Sequence, residues 1–189
     1  NFCEISLSLI RNSGVDPEDI SAVGCSTIAP CLLPVDKEIK PLRKAILYGI
    51  DVRADKEIQY LDELYGKDNI FEKYGTPVTS QSVGAKILWL KENEPEIHAS
   101  ADKFITGSTY LVAKLTGKYV IDNYTAATWV PMYNVDKCDW EEDLDLFCRR
   151  DQLADCKWSH ETVGEVNARA SLETGLAEGT KVVTGTADA

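Results

Sequence analysis

One carboxylate in this sequence stands where chemistry would be expected. The stretch Lys181-Val182-Val183-Thr184-Gly185-Thr186-Ala187-Asp188-Ala189 runs β-branched apolar residues into a small-residue turn that delivers Asp188. A buried strand that stops in such a turn opens its carboxyl edge, and open α/β sheets bind ligands at those edges. A carboxylate held on a rigid strand end is placed to act as a general base. Read locally, the same residues also make an ordinary linking turn, because Gly and Asp favour turns for their own reasons. The choice between the two readings rests on the elements around the stretch.

Those elements belong to a chain long enough for one domain, or one domain and the start of another. Net charge is −11 and the isoelectric point about 4.6. That balance argues against nucleic acid or an anionic membrane surface as the main partner. Cys3, Cys25, Cys31, Cys138, Cys148 and Cys156 form no Cys-x-x-Cys pair, and His98 and His160 lie away from any cysteine cluster. Zinc-site spacing is therefore absent. Scattered thiols in a chain with this much apolar content fit a reducing cytoplasm rather than a disulfide framework. No apolar run is long enough to span a bilayer, and no signal peptide is recognised. The pattern starts and ends mid-element, so the chain is expected to be part of something longer.

Periodicity predicts alternating elements. An amphipathic helix carries Phe2, Ile5, Leu9 and Ile10 and stops near Gly14. Strands are expected over 20–27 and 31–35, with Pro34 marking an edge or an end, and a hairpin turn at Asp36-Lys37-Glu38. A third strand is expected over 45–50, with Asp51 capping the helix that bears Ile58, Leu61, Leu64 and Tyr65. Helices are expected over 69–74, 84–93, 108–115, 141–149 and 168–176, with short extended pieces at 104–105, 119–121, 163–166 and 182–183. The acidic run from Asp139 to Asp145 reads as a helix start, where carboxylates favour the dipole. Trp89, Trp129, Trp140 and Trp158 read as packing residues, and His98 and His160 as solvated.

Three blocks occur in one order. The first is Val23-Gly24-Cys25-Ser26-Thr27, a hairpin, then Ala45-Ile46-Leu47-Tyr48-Gly49-Ile50-Asp51-Val52-Arg53. The second is Gly84-Ala85-Lys86-Ile87-Leu88-Trp89-Leu90-Lys91, Pro95-Glu96-Ile97, and Tyr110-Leu111 through Leu115-Thr116-Gly117. The third is Val163-Gly164-Glu165-Val166, Thr174-Gly175-Leu176, Glu178-Gly179-Thr180 and the closing stretch to Asp188. In this order and spacing the chain resembles the FGGY carbohydrate kinases, most closely their xylulose-kinase branch.

The resemblance implies an α/β, ribonuclease-H-like (actin-like ATPase) fold: a mixed sheet flanked by helices, here partial. It implies that 1–181 is the N-terminal, sugar-binding domain without its opening strands, and that 182–189 is the first strand of the C-terminal domain. It places Asp188 on the family's catalytic aspartate, which orients a sugar hydroxyl toward the γ-phosphate of ATP. It places Ala29 and Pro30 in the sugar-binding loop, where the xylulose branch carries a Met-His pair and the glycerol branch an Arg-Glu pair. Tyr48 falls on an aromatic that packs against the carbon face of the sugar, and Gln81 on a pocket-lining position. Asp51 and Arg53 match a family Asp-x-Arg, although a helix cap plus a surface ion pair accounts for them equally simply. The implied cofactors are ATP and Mg²⁺, bound mainly by parts not in this chain. The implied partner is a small-molecule sugar, and a homodimer is allowed.

The expected function is therefore ATP-dependent phosphorylation of a sugar hydroxyl, on a ketose such as xylulose, with this piece inactive alone. The apolar Ala29-Pro30 pair leaves room for a second reading, a non-catalytic sugar-binding relative acting as sensor or scaffold. A dehydrogenase-type nucleotide domain also alternates strands and helices, but no Gly-x-Gly-x-x-Gly follows any strand.

Overall fold

The computed structural model describes residues 2–188, so Asn1 and Ala189, the outer ends of the expected 1–181 and 182–189 units, lie outside the described residues. Helix α1 (Phe2–Ser13) leads to strands β1 (Ala22–Val23) and β2 (Ser26–Thr27). Strand β3 (Leu33–Val35) precedes four helices: α2 (Asp55–Tyr65), α3 (Lys67–Tyr74), α4 (Val83–Asn93) and α5 (Pro95–Ser100). Next come β4 (Lys103–Ile105), α6 (Gly107–Thr116), β5 (Val120–Asp122), the one-turn α7 (Asn123–Ala126), β6 (Tyr133–Asn134) and β7 (Asp139–Trp140). The described chain closes with β8 (Asp155–Lys157), β9 (Thr162–Glu165), α8 (Ala168–Thr174), β10 (Lys181–Val183) and β11 (Thr186–Ala187).

Two extended passes hold the molecule's ends together. β1 runs parallel to β10, with Ala22 beside Lys181 and Val23 beside Val182, and β10 runs antiparallel to β9. Farther along, β2 runs parallel to β11, with Ser26 beside Thr186 and Thr27 beside Ala187. Each pass is interrupted at the same level, and Gly185 is the reason. Its φ is +73°, and a Cβ on it would sit inside the van der Waals shell of the Cys25 carbonyl oxygen. Only glycine meets both conditions. At the break Thr184 N–H donates to Glu161 O (3.0 Å) and Gly185 N–H to Ser159 O (3.1 Å), before Thr186 N–H returns to Cys25 O (3.1 Å). Parallel strands require a long crossover, which the intervening helices supply.

Capping chemistry sets the helix ends around this sheet. Thr106 Oγ1 accepts the Thr109 N–H (3.3 Å) at the start of α6, and Gly117 ends that helix with φ +77°. Asn167 Oδ1 accepts the Ala170 N–H (2.9 Å) at the start of α8. Val112, Leu115, Val166, Ala170, Leu176 and Val182 form one apolar cluster with Cys25. A larger cluster gathers Leu32, Ile46, Leu61, Ile87, Leu90, Phe104, Trp129, Trp140 and Phe147 around α4. Helix α4 is buried on most sides, and Gly84 allows it to approach the Val130 carbonyl, which any Cβ there would strike.

Several sequence expectations change. The strand expected over 45–50 is reduced to one bridge, Ile46 to Leu32. Its next carbonyl, Leu47 O, accepts from the side chain of Lys86 instead of from a neighbouring strand. Asp51 caps no helix: α2 starts at Asp55, and the Asp51 carboxylate instead binds Arg53. No helix forms over 141–149; Leu144 O accepts from the Phe147 and Cys148 N–H groups in a turn, and side chains reach the carbonyls that follow. Lys91 Nζ donates to Asp145 O (3.0 Å) and Leu146 O (2.7 Å), and His98 Nε2–H donates to Phe147 O (2.8 Å). His98 is thus half-buried against Phe104 rather than solvated, and burial lowers its pKa. Trp129 and Trp140 pack edge to face in the core as expected, whereas Trp158 is 55% exposed. All six cysteines are free thiols, and among the described residues no helix is long and apolar enough to cross a membrane.

Burial raises the thiol pKa of Cys25 to about 11 and those of Cys148 and Cys156 to about 12, from a usual 9.0. These thiols stay protonated in the fold where the unfolded chain ionises. Their contribution to stability is complete below pH 9.0 and is lost as pH climbs toward 11–12. The buried Lys86 ammonium works in the opposite sense, but it is a single group against three. The urea midpoint of the chain is expected to fall steadily from pH 9 to pH 11. A midpoint that stays level across that range would show that the thiols are hydrated in the fold.

Candidate functional site

The backbone of Asp188 is held by its N–H, which donates to Thr27 O at 2.9 Å and extends the parallel pairing of β2 and β11 by one bond. The carboxylate therefore leaves the sheet at its open end, exposed to solvent. Close to β11, Asp122 ends β5 and is 2% exposed. Its Oδ1 accepts from the Thr125 N–H (3.0 Å) and from Thr186 Oγ1 (3.0 Å), two residues before Asp188. Among the described residues its Oδ2 is buried without a hydrogen-bond partner, as are Thr27 Oγ1 and Thr125 Oγ1. Buried polar atoms are usually satisfied, and three of the seven unpartnered ones among the described residues lie around this strand end.

The turn after β2 continues the site. Ala29 is half-buried and Pro30 buried, joined by a cis peptide bond. Cys31 follows, its thiol donating to Ile28 O (3.5 Å). Burial pushes the Cys31 pKa up. The Gly107 N–H and the Lys86 ammonium oppose that shift, while the Asp188 carboxylate reinforces it. Cys31 thus lies within electrostatic reach of both Asp188 and Lys86.

Lys86 is completely buried in α4, among Val83, Ile87 and Leu90. Its Nζ donates to Leu47 O at 2.5 Å. Burial brings its pKa down to about 8, against the pull of Asp51 and Cys31 in the other direction. Tyr48, the next residue, is half-buried. Gly49 then packs against Ser80 and Gln81: a Cβ on it would lie 3.2 Å from Gln81 Cγ, and Ser80 Oγ–H donates to Gly49 O (3.3 Å). Gln81 is exposed and lines a hollow with Thr76, Thr79, Tyr124 and Thr128. Beyond the turn, Arg53 Nε–H donates to Asp51 Oδ1 (2.7 Å), and its guanidinium lies 4.8 Å from the Trp89 ring centre. The Arg53 hydrogen bond holds the Asp51 carboxyl below the usual carboxylate range.

Hydrogen bonds, chain neighbours and one electrostatic link between Cys31 and Lys86 connect the residues singled out in the sequence. They run from Asp188 through Thr27 to the Ala29-Pro30 turn, from Cys31 by way of Lys86 to Leu47 and Tyr48, and from Gly49 to Gln81. Sequence reasoning missed Lys86, Cys31, Asp122 and Thr186. Lys86 did leave a signal, a lone cation on the apolar side of a helix otherwise built from Val83, Ile87 and Leu90. Among the described residues no group of three or more His, Cys, Asp or Glu could hold a metal ion, so Asp188 offers a single ligand by itself.

Comparison with known proteins bears on this arrangement. The profile of the FGGY family of carbohydrate kinases, N-terminal domain, matches residues 2–189. A glycerol kinase from Thermococcus kodakarensis is 31% identical over 139 residues, 71% of this chain and 27% of its own length. A xylulose kinase from Bacillus subtilis is 27% identical over 187 residues, 98% of this chain and 37% of its own. An autoinducer-2 kinase from Escherichia coli is 28% identical over 192 residues, 98% of this chain and 35% of its own. Among solved structures, the xylulose kinase from Rhodospirillum rubrum superposes with a TM-score of 0.92 at 24% identity, covering 100% of this chain and 38% of that one. The glycerol kinase of Plasmodium falciparum, solved with ADP, gives 0.85 at 20% identity, covering 100% and 38%. The fold is thus part of the ribonuclease-H-like, actin-like ATPase architecture. The chain spans about a third of the length of the relatives it matches.

The position of Asp188 depends on Gly185. Replacing Gly185 with Ala is expected to cost about 3 kcal/mol or more, since it adds positive-φ strain to a backbone collision. Urea denaturation of the variant checks this, and a loss below about 1 kcal/mol would mean that the turn can relax without it.

Proposed function

Because this chain belongs to the FGGY family of carbohydrate kinases, we propose that the whole protein transfers a phosphoryl group from ATP to a hydroxyl of a small polyol, with a ketose such as xylulose as first candidate. The observation that carries this reading is the locked backbone of Asp188 at the open end of the sheet, beside the 29–31 turn. In this reading Asp188 accepts the proton of the attacking hydroxyl as its oxygen bonds to the γ-phosphorus and the bond to the β-phosphate oxygen breaks. Ala29 and Pro30 offer apolar contact without side-chain hydrogen bonds. Tyr48 supplies an aromatic face for the C–H side of a sugar and a phenol for its hydroxyls. Gln81 supplies an amide that both donates and accepts.

The nature of the sugar rests on the relatives' names, which include a xylulose, a glycerol and an autoinducer-2 kinase. The xylulose kinase covers 98% of this chain against 71% for the glycerol kinase, which supports the ketose over glycerol, while the autoinducer-2 kinase covers the same 98%. ATP supplies the phosphoryl group and Mg²⁺ the counter-charge. In this proposal both are held mainly outside this chain, since Asp188 alone makes no metal site. The division at 181/182 belongs to the same proposal. Within the described residues β10 is bonded on both sides, to β1 and to β9.

In the full-length protein, assayed against pentuloses, hexuloses, glycerol and sugar acids, Asp188→Asn is expected to lower kcat by about 10²–10⁴ with sugar KM nearly unchanged. Full activity in that variant would remove Asp188 from the mechanism. Sugar binding by the wild type with no phosphoryl transfer would favour the sensor reading instead.

A further inference from the structure

Lys86 is the buried charged group that the proposed mechanism does not use. Its helix position calls for an apolar residue, since Val83, Ile87 and Leu90 around it are fully buried. An ammonium in such a place is costly unless it is paired and bonded. Among the described residues Lys86 has no salt-bridge partner, and its one hydrogen bond goes to Leu47 O. Residues that break the local rule of their element cluster at functional sites.

The carbonyl that Lys86 holds belongs to the residue just before Tyr48. A second tether reaches the residue just after Tyr48, where Ser80 Oγ–H donates to Gly49 O (3.3 Å). Both tethers come from the segment that opens α4 and carries Gln81. We propose that Lys86 is a positioning residue for the sugar: its buried ammonium fixes the backbone on which Tyr48 stands, and so sets the aromatic face against the Gln81 amide. This rests on the kinase reading for its consequence, but the tether itself does not.

The ammonium is also placed to sense pH. The groups around it are Asp51 and Arg53 from the 47–53 turn and the Cys31 thiol from the turn after β2, with Asp188 acting on Cys31. Burial sets the Lys86 pKa near 8. A charged donor holds a carbonyl more strongly than a neutral amine. The tether is therefore firm below that pH and weakens as pH rises through it.

The test uses the full-length enzyme. Lys86→Met keeps the buried volume and removes the donor. Expected are a tenfold or larger rise in sugar KM, ATP KM within twofold of wild type, and faster amide hydrogen exchange confined to residues 47–51. In the wild type, sugar KM is expected to rise as pH passes about 8, and Lys86→Met is expected to abolish that limb. Unchanged sugar KM and pH profile, or a loss of thermal stability with sugar KM unchanged, would reduce Lys86 to a structural role and overturn the proposal. If Lys86→Met does not fold, Ser80→Ala loosens the second tether without touching the buried charge. A two- to threefold rise in sugar KM supports the proposal, and none overturns it. If the wild type phosphorylates no polyol, the kinase reading falls. Hydrogen exchange at 47–51 then decides the tether alone, and exchange unaltered by either substitution overturns it.

Discussion

The structure depends on one set of backbone bonds, those that join β11 to β2. Thr186 N–H to Cys25 O and Asp188 N–H to Thr27 O tie together parts of the chain about 160 residues apart. Closing so long a loop has an entropic cost that grows only slowly with length. The return comes from the apolar cluster around Val112, Leu115 and Val182, which the closure buries. Gly185 makes the register attainable, since any side chain there would drive the two passes apart. Everything proposed for Asp188 follows from this junction, because the carboxylate inherits its place from the backbone bond beneath it.

Around the junction the usual economy of a protein interior is relaxed. Among the described residues Asp122 Oδ2, Thr27 Oγ1 and Thr125 Oγ1 are buried without partners, and Lys86 is buried as a cation. Each such group is destabilising where it stands. Elsewhere in the core the service is mixed: Trp140 Nε1–H donates to Ala154 O (2.7 Å) and Gln152 Nε2–H to Ala101 O (2.9 Å), whereas Trp129 Nε1 and Glu57 Oε2 are buried without a partner among the described residues.

Much of the fold was legible in advance because it rests on local rules. Helices α1, α2, α6 and α8 followed from apolar spacing and from Gly66, Gly117 and Gly175 as stops. The pairing of 120–122 with 155–157 was not legible, because nothing in either short run names its partner. The two clear misses share a feature. At 45–50 and 141–149 the expected element is absent, and side chains from α4 and α5 donate to carbonyls there. A backbone acceptor taken by a distant lysine or histidine leaves no mark in its own neighbourhood.

Sequence alone therefore determined the family, most of the helices and the carboxylate at the strand end, since each depends on residue types at short and ordered spacings. Tertiary structure decided which residues keep that carboxylate company. Lys86, Cys31, Asp122 and Thr186 come together through contacts between elements far apart in the chain. The physical reason is range: backbone preference and capping act over a few residues, whereas burial and electrostatics act on whatever the fold brings near.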